Sequence, residues 1–228
     1  MEKKKINGFP HIRYKHNQLL SSDELELASK AFYQKMNKRR SIREFSDREV
    51  SKSVIENIIQ AAGTAPSGAN KQPWMYCAVS NSEIKRQIRQ AAEAEEKISY
   101  DKRMSDQWLQ DLEPLGTDFQ KPFLEIAPWL IIAFKKIFDI NQEGEKETNY
   151  YVNESVGISC GLLISAIHDA GLVTLTHTPS PMNFLSEILN RPKNERAFIL
   201  FPVGYPADEV YVPDIHRKPL NEISEFYL

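Results

Sequence analysis

"APWLIIAFKK", residues 127–136, decides the class of fold. No charge interrupts it from Ala127 to Phe134. A nearly continuous apolar run of this length reads as a strand buried on both faces of a sheet, and it is too short to span a bilayer. Such a strand needs cover on each side, and the flanking sequence supplies helices. Val54, Ile55, Ile58 and Ile59 recur on one face of a helix expected over about 51–62. Asn81 caps another, whose face carries Ile84, Ile88 and Ala91. "YYVNESVGISCGLLISAIHDAGL", 150–172, reads as a helix apolar on every side after Glu154 and therefore buried all round, at the centre of the molecule or against a second copy. "WMYCAVS" (74–80) and "RAFILFPVGYP" (196–206) add strands, and "MNFLSEILN" (182–190) a short helix. Ser21 and Glu24 form a capping-box pattern for a helix from Asp23 to about Lys38. Residues 1–22 read as an irregular N-terminal arm. The class is α/β or α+β with a central sheet.

Composition narrows the function. The 228 residues carry a formal net charge of −2, so no general basic field exists to hold nucleic acid or an anionic membrane. Neither Cys77 nor Cys160 belongs to a C-x-x-C pair, which argues against a disulfide framework and against a metal site. The basic N-terminus lacks the apolar core of a signal peptide. The reducing cytoplasm is the expected location.

Against that balance, "KRRSIREFSD" (38–47) concentrates Arg39, Arg40 and Arg43 around Ser41. Arginine forks and a serine hydroxyl match phosphate oxygens; a solvated helix end is the plainer alternative. In "GTAPSGANKQPW" (63–74), Ser67, Gly68 and Ala69 can bring backbone N–H groups against a flat ligand, with Gly68 tolerating unusual φ; an ordinary connecting loop reads the same way. In "AEEKISYDKRM" (94–104), Glu96 and Tyr100 share a helix face, and the long, weakly periodic segment after it has the character of a lid. A salt-laced surface helix is the alternative there. In "VTLTHTP" (173–179), Thr176, His177 and Thr178 are placed to aim donors at a ligand, although a lone histidine also suits a structural role. P-loop, G-x-G-x-x-G, H-E-x-x-H and G-x-S-x-G patterns do not occur.

Taken together, "RRSIREF", "APSGANKQPW", the Glu96–Tyr100–Lys121 set, "AGLVTLTHTP", "PVGYP" and a late "RKPL" resemble the flavin-dependent nitroreductase superfamily, and within it the iodotyrosine deiodinases. The likeness covers about residues 35–225, and the lid set is its most specific part. It implies an α+β fold, a central mixed sheet flanked by helices in an intertwined homodimer. Residues 23–228 would form one FMN-binding domain with a lid at about 93–121. It implies FMN, with Arg39, Arg40, Ser41 and Arg217 on the phosphate and ribityl chain and Arg43 near the N1/O2 ring edge. Ser67, Gly68 and the 176–178 segment would also meet the flavin, with Thr178 at N5. The Ala69 N–H would meet a halotyrosine phenolate, Glu96 its ammonium, and Tyr100 and Lys121 its carboxylate. Halide would leave as reduced flavin delivers electrons one at a time from an unidentified donor. The animal members have a membrane anchor, which is not expected here, and a threonine where this chain has His177. Two rivals remain: an NAD(P)H-dependent nitroreductase or quinone reductase of the same fold, and a non-enzymatic flavin or halotyrosine binder.

Overall fold

Asn7 and Gly8 both take positive φ, 50° and 84°, and turn the chain back on itself. They join β1 (Lys3–Ile6) to β2 (Phe9–Ile12), antiparallel with Ile6 opposite Phe9. Asn-Gly is the dipeptide that such a two-residue hairpin turn favours, so the expected irregular arm is instead an ordered hairpin. In this computed structural model, which describes residues 2–15 and 19–228, the hairpin groups with α1 (Ser22–Asn37) in one compact unit, residues 1–39. The α1 capping box is made in full: Glu24 N donates to Ser21 Oγ at 3.4 Å, and Ser21 N to Glu24 Oε2 at 2.8 Å. Leu25, Leu27, Phe32 and Tyr33 of this helix are exposed.

The second unit, residues 40–228, contains the sheet. In order it runs α2 (Lys52–Gly63), β3 (Trp74–Val79), α3 (Ser82–Ile98), α4 (Asp106–Leu112), α5 (Phe123–Ile126) and β4 (Trp129–Lys136). A short hairpin of β5 (Phe138–Ile140) and β6 (Lys146–Thr148) follows, then α6 (Val152–Asp169), β7 (Val173–Thr174), α7 (Asn183–Ile188) and β8 (Glu195–Gly204). The main sheet has the order β3-β4-β8-β7, and its ladders are antiparallel. Among the described residues, its mixed character comes down to one parallel bridge, Ser41 to Thr174.

β4 shows why the opening decamer had to be central. Leu130, Ile132 and Phe134 face a layer that includes Ile88 and Ala92 of α3, Leu124 of α5 and Leu185 of α7. Ile131 and Ala133 face the other way, onto Ile55, Ile58 and Ala62 of α2 and Val156, Cys160, Leu163 and Ile167 of α6. Alternation along the strand thus sends neighbouring side chains into two cores. Helix α6 meets the expectation of burial on one side within the chain. It buries the face of Val156, Cys160, Leu163 and Ile167, yet Ile158 is 49% and Leu162 37% exposed. Among the described residues, its second apolar side has no cover.

Candidate active site

Two parts of the second unit build the site: the strand-like segment after β7, and the end of α3 with the loop that follows it. The first is held from both sides. Ile42 N donates to Thr174 O at 3.2 Å, while His177 N donates to Leu200 O at 2.8 Å and Leu200 N returns a bond to His177 O at 3.0 Å. This fixes Leu175 to Thr178 beside Arg43.

The second part starts from the last turn of α3, which carries Glu96. The helix then widens into a π-helical turn over Ser99–Arg103, where Met104 N bonds Ser99 O at 2.9 Å. Tyr100 sits on this turn, and its hydroxyl donates to Thr117 O at 3.2 Å. The far end of the loop returns Lys121 to the same place. Lys121 N donates to Glu93 Oε1 at 2.7 Å, and its ammonium reaches Glu96 Oε2 at 3.4 Å, Thr117 Oγ1 at 3.2 Å and the Asp118 carbonyl. Its Nζ also lies 5.8 Å from the centre of the Tyr100 ring. Arg103 latches the turn onto the first segment by donating to Ser180 O at 3.1 Å while pairing with Glu95 at 2.9 Å.

A cavity of about 220 Å³ lies between the two parts. Arg43, Glu96, Tyr100, Lys121, Thr176, His177 and Thr178 line it, with Trp108, Met104 and Phe123 giving apolar wall. Burial raises the Glu96 carboxyl above its usual value, and Lys121 opposes the rise. Burial, then the charges of Lys121 and Arg43, push His177 down to about 3, so its imidazole is neutral. Burial also raises the Tyr100 phenol. The cavity can therefore offer a carboxylate, an ammonium and a phenol hydroxyl together, the complement of a zwitterion. Sequence reasoning found those three groups. It missed Thr117 and Glu93, which hold Lys121 and which no local spacing marks.

The other expected residues lie apart from this cavity. Arg40 donates through Nη2 to the Pro213 carbonyl, and Arg217 is exposed on the same C-terminal stretch. Arg39 belongs to the N-terminal unit, where its N–H bonds Met36 O at 3.1 Å. Ser67, Gly68 and Ala69 do not line the cavity. Ser67 Oγ accepts from Gln72 N at 2.9 Å. The positive φ values of this loop fall at Ala69 (49°), Asn70 (54°) and Gln72 (49°). Gly68 is there for another reason than the expected φ: a Cβ on it would come within 3.0 Å of the Tyr151 ring and 3.1 Å of Tyr150 O.

The nitroreductase family model matches residues 36–205. The chain belongs to the nitroreductase family. Within this family it is 60% identical over 205 residues to the iodotyrosine deiodinase of Haliscomenobacter hydrossis, covering 90% of this chain and 92% of that protein. It is 44% identical over 214 residues to iodotyrosine deiodinase 1 of Homo sapiens, covering 93% and 74%. Among solved structures it is similar to an oxidized iodotyrosine deiodinase bound to FMN and 3-iodo-L-tyrosine, with a TM-score of 0.72, 27% identity, and cover of 86% of this chain and all of that one. A BluB-like flavoprotein from Clostridium difficile 630 shares the nitroreductase fold, with a TM-score of 0.64 at 21% identity and cover of 86% and 98%.

Proposed function

We propose that the chain is an FMN-dependent reductive dehalogenase of halotyrosines. The observation that carries this is the convergence of Glu96, Tyr100 and Lys121 on one buried cavity wall. Glu96 accepts from the ammonium of the free amino acid, and Lys121 and the Tyr100 hydroxyl donate to its carboxylate. FMN, when bound, supplies the two electrons that with one proton turn the aryl halide into tyrosine and halide ion. Arg40, Ser41, Arg39 and Arg217 hold the FMN phosphate and ribityl chain by charge-assisted bonds. Arg43 lies by the ring edge that gains negative charge on reduction. Thr176, His177 and Thr178, which line the cavity, would meet the ring, with the Thr178 hydroxyl available to N5. The lid, about 93–121, closes over the substrate and excludes water. A halophenol loses its proton more readily than tyrosine, so the Ala69 N–H, facing the phenolate, favours halogenated substrate.

The functional unit is a homodimer, with Ser67, Gly68 and Ala69 supplied by the second subunit. Two observations support this. A cavity of about 220 Å³ in one chain falls below the roughly 300–1,000 Å³ of usual ligand pockets. The uncovered side of α6, with Ile158 and Leu162, offers the apolar contact. The location is cytoplasmic; among the described residues no helix is long and apolar enough to cross a membrane.

The test is direct. The purified protein should be yellow and release FMN on denaturation; a colourless protein that FMN cannot reconstitute ends this reading. Arg40→Ala should weaken FMN retention by about ten- to a hundredfold, the loss of a charged hydrogen bond. Chemically reduced enzyme mixed with 3-iodotyrosine should release iodide. Faster NAD(P)H-driven turnover of nitroarenes or quinones with no halide release would establish the alternative activity of the same fold. Tight binding of iodotyrosine with neither activity would establish a binding protein. Analytical ultracentrifugation should return twice the chain mass.

A further inference from the structure

His177 is 5% exposed, and its Nε2 is buried without a hydrogen-bond partner among the described residues. Its ring meets Phe123 edge-on, with centroids 5.8 Å apart and planes at 89°. Phe123 is itself buried, so the imidazole cannot swing away behind the cavity wall. On the other side, Nδ1 lies 3.9 Å from Glu96 Oε1. The two oxygens of Glu96 thus face different groups: Oε2 faces the Lys121 ammonium and Oε1 faces His177.

This matters because Lys121 is required twice. In the ligand-free chain it neutralises Glu96, and in the reading above it must turn to the substrate carboxylate. Glu96 must then stay aimed while its cation is occupied elsewhere. A second fixed cation there would repel the incoming ammonium. A neutral N–H donor would orient the carboxylate without that repulsion. The position facing a carboxylate assigns the proton to Nδ1, and Nε2 is left as the unpaired acceptor.

Resting on the proposed function, we infer that His177 is a positioning residue for substrate selection: its Nδ1–H closes onto Glu96 Oε1 as Lys121 transfers to the substrate carboxylate, and so holds Glu96 for the ammonium. The ring itself touches neither the ammonium nor the reacting carbon. It acts through Glu96, and its effect should be confined to ligands that carry an amino-acid group.

The experiment titrates the FMN-loaded protein with 3-iodotyrosine and with 2-iodophenol, read by flavin fluorescence, in wild type and in His177→Leu, His177→Asn and His177→Gln. Asparagine places an N–H near the Nδ1 position, whereas glutamine places it near Nε2. Leucine and glutamine should weaken iodotyrosine by about tenfold, the low end for a charged hydrogen bond. They should leave iodophenol unchanged, and asparagine should restore most of the loss. Equal losses for both ligands, no loss in leucine and glutamine, or an asparagine variant no better than glutamine would overturn the inference while leaving the function intact. A wild type that does not prefer iodotyrosine to iodophenol would remove the function and the inference together. Because asparagine and glutamine are both polar, their comparison survives a poorly folded leucine variant.

Discussion

Lys121 Nζ lies 3.4 Å from Glu96 Oε2, with side chains 4% and 13% exposed, so the wall of the candidate site is closed by a buried ion pair. The two partners are not equivalent. Lys121 also donates to Thr117 Oγ1 and the Asp118 carbonyl, and it keeps both bonds if Glu96 is neutralised. If the ammonium goes, Glu96 faces, among the described residues, only the neutral imidazole of His177 at 3.9 Å, which brings no charge. Removing one partner of a buried pair costs about 3–5 kcal/mol when the remaining charge is uncompensated. Lys121→Met should approach that loss in urea unfolding of the FMN-free protein, and Glu96→Gln should cost clearly less. The double variant should recover part of the Lys121→Met loss. The reverse order of the single variants would show that Lys121, not Glu96, is the group left stranded.

On the proposed function the same pair would also set ligand choice. Glu96→Gln leaves the cavity shape intact but takes away the negative charge that meets an ammonium. Binding of 3-iodotyrosine should weaken by about ten- to a hundredfold, and binding of 2-iodophenol should hardly change. Flavin fluorescence quenching reports both in one instrument. A common loss would mean that Glu96 supports the lid rather than recognising the amino acid.

The sheet was legible because β4 is apolar on both sides, and its side chains divide between two cores as the sequence pattern requires. Glu96 and Tyr100 were legible because helical spacing puts them on one face. Other features were hidden in the sequence for physical reasons. The Asn7-Gly8 hairpin turn was present as a signal, but a short and mostly basic terminus reads as irregular from sequence. Gly68 invited a φ argument, whereas its role is clearance from Tyr150 and Tyr151, about eighty residues away. The partners that hold Lys121, Glu93 and Thr117, come together only after the lid folds back. The side chain of His177 turns to Glu96 and Phe123, a placement that no spacing within "VTLTHTP" reveals.

Acid should act on this site through His177. Its folded value is about 3, against 6.5 for the free side chain. The unfolded chain therefore takes up a proton first as pH falls. The stabilising contribution of neutral His177 is complete above about pH 6.5, declines toward pH 3, and is gone below it, with a slope of up to about 1.4 kcal/mol per pH unit. Glu96 is raised, so it works in the opposite sense: its contribution is complete below its unfolded value and is lost as pH rises through the folded one. His177→Asn should flatten the acid limb of the stability curve, and Glu96→Gln should steepen it. Urea midpoints between pH 3 and 7 measure both. Parallel curves for wild type and His177→Asn would mean that the imidazole titrates alike in both states.

Gly68→Ala tests the loop from the other direction. A Cβ at this position would meet Tyr151 Cδ2 at 3.0 Å, Tyr150 Cβ at 3.1 Å and Tyr150 O at 3.1 Å. One of these contacts is backbone, Tyr150 O, two residues before the start of α6, so the neighbours cannot give way by a rotamer change alone. Overpacking of this kind costs typically about 1–3 kcal/mol. The strain should move the 67–72 loop, whose positive-φ residues Ala69, Asn70 and Gln72 leave little freedom to absorb it. Thermal unfolding of Gly68→Ala should fall below wild type, and, on the proposed role of the Ala69 N–H, halophenol binding should weaken along with it. Gly68→Ala combined with Tyr151→Ala removes only the ring contact, so it should recover part of the loss and not all of it. Full recovery in that double variant would show that the ring alone sets the limit and that the Tyr150 backbone yields.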